Sequence, residues 1–153
     1  MNDFFIIPKH FFTPEIIIKR PPLAATAKQA GWVGCNIDIS KVTRVGKVFL
    51  VKNSQAIHQN FVKETFNKTL FLQTKTKGEK AWILHIMNCV DLIQKETFTL
   101  DDVYKFEKEL QSKYPTNNFI KDKIRQQLQV LRDKGIIEFL GRGVYKKVYD
   151  EEI

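Results

Sequence analysis

The clearest hydrophobic pattern in the chain lies between residues 117 and 148. Four apolar residues recur there at steps of four, four and three: Ile120, Ile124, Leu128 and Leu131. This spacing places one apolar stripe on one face of a helix. Asn117 or Asn118 can cap its start, and Gly135 follows at the position of a left-handed C-terminal cap. The pattern predicts an amphipathic helix that ends at a glycine.

The flanking residues extend this helix into a larger unit. Residues 136–139 and 144–148 read as short strands joined by the basic turn Gly141-Arg142-Gly143. Upstream, residues 81–93 are apolar at helical spacing, residues 97–99 suit a very short strand, and Thr99 with Asp102 opens a helix to about residue 112. Helix, short strand, helix, helix and hairpin is the order of a winged helix-turn-helix.

The first half of the chain shows weaker patterns. Residues 4–7 predict a strand with few obvious neighbours, and residues 46–51 predict a second strand. Thr13-Pro14-Glu15 has the composition of a helix start, so a helix is expected through residue 18, and another over residues 55–72. The predicted class is α+β.

One polar, glycine-containing segment, residues 74–80, is the expected linker. The prediction is therefore a first domain over residues 1–78, a winged-helix domain over residues 79–149, and an acidic tail over residues 150–153.

Composition and charge narrow the classes of partner. The 153 residues carry a net charge of +8, and residues 118–149 hold eight Lys or Arg against three acids. Such a balance favours a polyanionic partner. No apolar run approaches the roughly 20 residues of a membrane span, and no export signal is visible, so a cytoplasmic protein without membrane contact is expected. Cys35 and Cys89 stand alone, which predicts free buried thiols.

The polar face of the predicted helix carries the candidate chemistry. Arg and Lys pair with guanine, and Asn and Gln pair with adenine, in the major groove of DNA. The predicted DNA-binding residues are Asn117, Asn118, Lys121, Lys123, Arg125, Gln126, Gln129, Arg142 and Lys146. Lys123, Arg142 and Lys146 suit phosphates, with Arg142 on the wing. The alternative is an ordinary solvated face, which the adjoining wing disfavours.

The two tryptophans and the three histidines are the remaining candidates for a functional role. Trp32 lies between two glycines, and is either a core residue at a sheet edge or an aromatic wall for a ligand or base. Trp82 is expected in the core. The three histidines, His10, His58 and His85, lack the spacing of metal ligands.

Three long segments resemble the DpnI-like, or Dam-replacing, restriction endonucleases: residues 7–40, 96–110 and 120–148. The resemblance covers nearly the entire chain. It implies a type II restriction enzyme that cuts GATC when its adenines carry a 6-methyl group. It also implies a PD-(D/E)xK nuclease domain with a Cys-x-x-Cys zinc site, followed by a winged helix, with both parts reading methylated DNA. Trp32, within GWVGCN, is the candidate for the methyladenine pocket.

The chain departs from that family in its metal-binding motifs. PD-(D/E)xK chemistry needs carboxylates that hold magnesium and a lysine two residues after one of them. No Asp-x-Lys, Glu-x-Lys or Cys-x-x-Cys occurs in the sequence. Residues 1–78 are therefore expected to be the back portion of a nuclease domain, a remnant without catalytic residues or metal ligands, so that neither the magnesium nor the zinc of the family has a site.

The resulting hypothesis is a methyl-directed reader of double-stranded DNA that does not cut alone. Whether the native protein is an enzyme stays open, because a longer product or another polypeptide could supply the missing catalytic segment. Two alternatives are a stand-alone winged-helix regulator and a non-functional remnant of a truncated endonuclease gene. A regulator would need to dimerise, and the sequence has no heptads for that, so a monomer is expected.

Overall fold

The computed structural model describes residues 1–148, and the predicted acidic tail lies outside them. The strands are β1 Phe4–Ile6, β2 Ile17–Lys19, β3 Cys35–Ile37, β4 Val48–Lys52, β5 Gln55–Ala56, β6 Thr97–Thr99, β7 Ile137–Gly141 and β8 Val144–Lys147. The α-helices are α1 Gln59–Lys68, α2 Lys77–Leu92, α3 Leu100–Tyr104, α4 Glu107–Lys113 and α5 Ile120–Asp133. Short 3-10 turns connect several of them. Helices and sheets are mixed, as the α+β prediction requires.

The carboxy-terminal part has the winged-helix arrangement. Strands β6, β8 and β7 form an antiparallel sheet in that order, so the short strand pairs with the second strand of the hairpin. Phe98, Phe139 and Tyr145 align across it, and Phe98 is fully buried. The predicted order of helix, short strand, helices and hairpin is confirmed, with three helices (α3, α4 and α5) in place of the expected two between the short strand and the hairpin.

Polar caps begin the first two helices of this part. Thr76 and Glu79 form a capping box at the start of α2, and Thr99 and Asp102 form another at α3. The backbone N–H of Thr99, helped by Lys105 and Lys95, lowers the pKa of Asp102 to about 2. The segment predicted as a linker, residues 74–80, is mostly helical in the structure. A 3-10 turn ends at Thr74, and α2 begins at Lys77.

Helix α5 buries the predicted stripe and ends as its glycine predicts. The side chains of Ile120, Ile124, Leu128 and Leu131 are at most 2% exposed, and Gln127 is buried beside them. Gly135 has a φ of +71°. The N–H of Gly135 donates to the carbonyl of Arg132, and the N–H of Ile136 donates to the carbonyl of Leu131. These are the two hydrogen bonds of a Schellman motif.

The helix predicted from Thr99 is divided in two. Segment α3 ends at Tyr104 and α4 begins at Glu107. Val103 and Leu110 are both buried, so the expected inward face is retained across the break.

The amino-terminal part differs more from prediction. Strand β1 pairs antiparallel with β4, and β5 lies on the other side of β4, so the early strand does have a neighbour. The helix expected from Thr13 is wrong: a 3-10 turn over Pro14–Ile16 leads into β2, which pairs with β3. Three successive β-branched residues favour a strand over a helix. The helix expected over residues 55–72 is shorter, because β5 precedes α1 and a 3-10 turn follows it.

One cluster of buried side chains includes residues of both parts. Phe11, Ile16 and Leu72 belong to it together with the apolar faces of α2 and α5. Trp82 lies in this cluster at 8% exposure, as expected. The division into domains at residue 78 stays a prediction.

The two cysteines are in different environments. Burial raises the pKa of Cys89 to about 12, so its thiol is expected to stay protonated. Cys35 is exposed on β3, and the expectation that both thiols are buried is wrong for it.

Candidate nucleic-acid interface

The exposed face of α5 carries most of the predicted DNA-binding residues. Lys121, Arg125, Gln126 and Gln129 are exposed there, and Lys123 is half-buried at its edge. The helix cannot take its cap from Asn118, because Phe119 occupies the N-cap position without a side-chain bond. Asn117 instead accepts the backbone N–H of Phe119 through Oδ1, at 2.8 Å. This contact fixes the turn that leads into the helix.

Acidic side chains already neutralise part of this face. Nη2 of Arg125 donates to Oδ1 of Asp122, one helical turn before it. Nζ of Lys121 lies 3.6 Å from Oε2 of Glu107 on α4. Both cations keep about half of their side-chain surface exposed, at 53% and 54%. Such pairs are weak in water, and a phosphate or a guanine could compete for either cation.

Aromatic rings hold the predicted lysines in place. Nζ of Lys123 lies 5.8 Å from the centroid of the Trp82 ring, and Nζ of Lys121 lies 5.2 Å from that of Tyr104. Trp82 in turn stacks on Tyr114, the C-cap residue of α4. Each of the two lysines therefore lies over an aromatic ring.

An open surface cavity of about 420 Å³ lies at the start of α5. Its lining residues are Asn117, Phe119, Asp122, Lys123 and Gln126. The structure thus brings together three of the predicted residues with an aromatic ring that the sequence analysis did not select. Phe119 is 71% exposed. A signal was present, because Phe119 precedes the apolar stripe by one residue and therefore lies off it.

The wing is a tight hairpin with one basic tip. Arg142 is exposed in the two-residue turn between β7 and β8, and Gly143 has a φ of +63°. The carbonyl of Gly143 accepts the N–H of Leu100, which ties the wing to the start of α3. Lys146 is half-buried on β8, with Nζ 3.8 Å from Oε1 of Glu96.

Trp32 lies on a separate element, the arm formed by residues 17–37 (β2, β3 and the loop between them). Its side chain is 60% exposed, so the interpretation as a core residue is wrong. The ring lies against Gly34, where a β-carbon would come within 3.3 Å of it. The arm contains Lys19, Arg20 and Lys28 and no acidic residue. On this basic arm, the exposed indole can contact an apolar group while the three cations contact the negative charges of the same polyanion.

A protein metal site usually needs three or more ligand side chains that converge on one point. Within residues 1–148 no group of three or more His, Cys, Asp or Glu side chains could hold a metal. The histidines have other contacts: Nε2 of His10 lies 2.9 Å from Oγ1 of Thr69, and His85 contacts Glu15 and Tyr114. His58 caps α1 by accepting the N–H of Asn60.

No helix in the described part of the chain is long and apolar enough to cross a bilayer.

Two family models match the sequence, one after the other. The first, described as the Dam-replacing family of DpnI, matches residues 1–75. The second, described as the Dam-replacing helix-turn-helix domain of DpnI, matches residues 78–147, which includes α5 and the wing. A helix-turn-helix domain indicates DNA as the partner. With nearly every residue covered by these two models, the chain belongs to the DpnI-like Dam-replacing family.

Proposed function

We propose that this protein binds double-stranded DNA in a methylation-dependent manner, with 6-methyladenine in GATC as the feature it reads. Within the proposed division, residues 79–149 form the winged-helix reader. The observation that best supports this proposal is the exposed polar face of α5, together with the basic wing tip at Arg142. Residues near the N-terminus of a recognition helix contact base edges in helix-turn-helix proteins. Here the exposed residues of that region include amides and cations, with the acid Asp122 among them.

The predicted contacts divide by chemistry. Arg125 suits the O6 and N7 acceptors of guanine, and Gln126 and Gln129 suit adenine. Lys123, Arg142 and Lys146 suit phosphates, which supply affinity without sequence information. Asn117, Asn118 and Lys121 complete the groove-facing set.

We place the aromatic contact of the amino-terminal part at Trp32. In palindromic GATC the two adenines occupy adjacent base pairs, so their methyl groups lie close together in the major groove. One exposed indole could contact both without extruding a base. Its 60% exposure on an arm with three cations supports this assignment.

We interpret residues 1–78 as the back portion of a PD-(D/E)xK-like nuclease domain, for which a further polypeptide segment would supply the catalytic residues. Exposed apolar side chains on β1 and β2 support the interpretation: Phe4, Ile6, Ile17 and Ile18 are between 40% and 49% exposed. The chain alone is then expected to leave methylated GATC plasmid intact in the presence of Mg²⁺. Cleavage by the purified chain would refute the remnant interpretation.

The deciding experiment is fluorescence anisotropy with three duplexes that differ only in methylation of one GATC: none, one strand or both. Salt is held near physiological concentration, because phosphate contacts alone give affinity at low salt. Tighter binding of the fully methylated duplex by about tenfold, or about 1.4 kcal/mol, is expected. Equal binding to all three would refute methyl reading and leave a helix-turn-helix protein of another specificity.

A further inference from the structure

Phe119 is more exposed than any other phenylalanine or tryptophan of the described chain, at 71% against 60% for Trp32. Burying a phenylalanine side chain stabilises a folded protein, because apolar surface leaves water. At this position almost none of that stabilisation is available within the chain. A single exposed apolar residue is ordinary on a protein surface, so its surroundings decide whether it has a use.

The backbone around Phe119 is held on both sides. Its N–H donates to Oδ1 of Asn117 at 2.8 Å, and its carbonyl accepts the N–H of Lys123 at 3.0 Å. The phenyl ring is therefore presented at the first turn of α5, where a recognition helix meets base edges.

A second side chain fixes the segment that precedes it. Nε2 of Gln111 on α4 lies within hydrogen-bond distance of three carbonyl groups of the following loop, those of Tyr114, Pro115 and Asn117, at 3.2, 3.4 and 3.0 Å. Because one side-chain amide contacts all three carbonyl groups, it restricts the backbone conformation of the loop between α4 and α5. Phe119 is thus exposed on a fixed backbone.

The cavity beside Phe119 has a mixed lining. The phenyl ring supplies an apolar wall, and the amides of Asn117 and Gln126 and the ammonium of Lys123 supply hydrogen-bond donors. The carboxylate of Asp122 is held by Arg125. The lining can therefore receive an apolar group next to a hydrogen-bond acceptor.

A 6-methyladenine in a duplex has this combination on its major-groove edge. Unmethylated adenine offers an N6–H donor beside the N7 acceptor, which a Gln or Asn side chain reads with two hydrogen bonds. After methylation the remaining N6 proton is used in the base pair, and the methyl replaces the donor that faced the groove. A reader of the methylated base then needs a donor for N7 and an apolar surface for the methyl.

We infer that Phe119, at the N-cap of α5, senses the methyl group, with its ring against the N6-methyl and a neighbouring amide donating to N7. This assignment rests on the proposed methyl-directed DNA binding and adds a specificity-determining residue to it. It is independent of Trp32, which lies on the arm.

The test uses the full chain and three variants: Phe119→Ala, Phe119→Leu and the control Leu92→Ala. Leu92 is a matched control because it is 65% exposed and ends α2 rather than opening α5. Each protein is titrated by anisotropy against unmethylated and fully methylated GATC duplexes at near-physiological salt. Thermal unfolding monitored by circular dichroism checks that each variant is folded.

Phe119→Ala is expected to weaken binding of the methylated duplex by about fivefold, from the loss of one apolar contact, and to leave the unmethylated duplex unchanged. Phe119→Leu retains part of the preference, and Leu92→Ala retains all of it. If wild type prefers methylated DNA and Phe119→Ala keeps the same ratio, or weakens both duplexes equally, the assignment of Phe119 is refuted while methyl reading stands. Equal binding of both duplexes by wild type would overturn both.

Discussion

The indole ring of Trp82 and the phenol ring of Tyr114 stack with their centroids 3.8 Å apart and their planes 14° apart. Burial raises the pKa of Tyr114 to about 12, so its hydroxyl stays protonated and can donate to Nδ1 of His85, 2.6 Å away. Nε2 of His85 then donates to Oε1 of Glu15 at 3.0 Å. A continuous set of contacts therefore runs from the amino-terminal part to the segment that opens α5.

Two variants of Tyr114 should distinguish the contribution of ring stacking to stability from the contribution of the hydrogen bond. Tyr114→Phe keeps the ring and removes the donor to His85, at an expected cost of about 1 kcal/mol. Tyr114→Ala also removes the ring, and a loss of about 3 kcal/mol in the free energy of unfolding is expected. Urea unfolding of both variants measures the difference. Equal losses would mean that stacking on Trp82 contributes nothing.

Removing the acid beside Arg125 should strengthen DNA binding. Asp122 faces the same side of α5 as Gln126 and holds the Arg125 guanidinium. Asp122→Asn removes one negative charge near the phosphates and releases that guanidinium. Affinity for every duplex should rise by about fivefold, which corresponds to roughly 1 kcal/mol for one charge pair in water.

The control for that variant is Asp133→Asn on the last turn of α5, where the carboxylate lies 3.0 Å from Nη2 of Arg132. It changes the net charge by the same amount at the other end of the helix. An equal gain from both variants would show a general charge effect and contradict a specific role for Asp122.

The wing tip should act through phosphates alone. Arg142→Ala is expected to weaken binding of methylated and unmethylated duplexes alike, and to reduce the slope of log K against log salt by about 1. Lys63→Ala, an exposed lysine on α1, is the charge-matched control. A selective loss for one methylation state would instead place Arg142 at a base edge.

The carboxy-terminal fold could be predicted because each local signal agreed with the tertiary packing. The stripe from Ile120 to Leu131, the capping box at Thr99 and the positive φ of Gly135 all occur as expected. The arm could not be predicted, because Thr13-Pro14-Glu15 has the composition of a helix start. Pairing between Ile17 and Ile37 across a long loop outweighs that local preference.

The candidate interface was only partly predictable for a related reason. Residue type and helical phase identify which side chains face outward, and so Arg125, Gln126 and Gln129 were selected. Neither signal shows which charges are paired across elements, as Lys121 is with Glu107. The helical phase also places Phe119 off the buried stripe, but an apolar residue type does not by itself indicate contact with DNA.

A buried histidine in the amino-terminal part should make stability depend on pH. His10 is 3% exposed, and burial, with smaller contributions from Lys80 and Lys9, lowers its pKa below the ordinary value of 6.5. Because Oγ1 of Thr69 donates to the carbonyl of Phe66, it accepts from Nε2–H of His10, which identifies the neutral tautomer present.

The folded state therefore binds fewer protons at His10 than the unfolded state does. Its contribution to stability is complete above about pH 6.5 and is lost as the pH falls through the lowered pKa of the folded protein. His10→Gln keeps a donor for Thr69 but does not titrate. Urea unfolding of both proteins between about pH 7.5 and about pH 5 should show wild type losing more stability than the variant as the pH falls. Parallel pH profiles would contradict a neutral, buried His10 as the source.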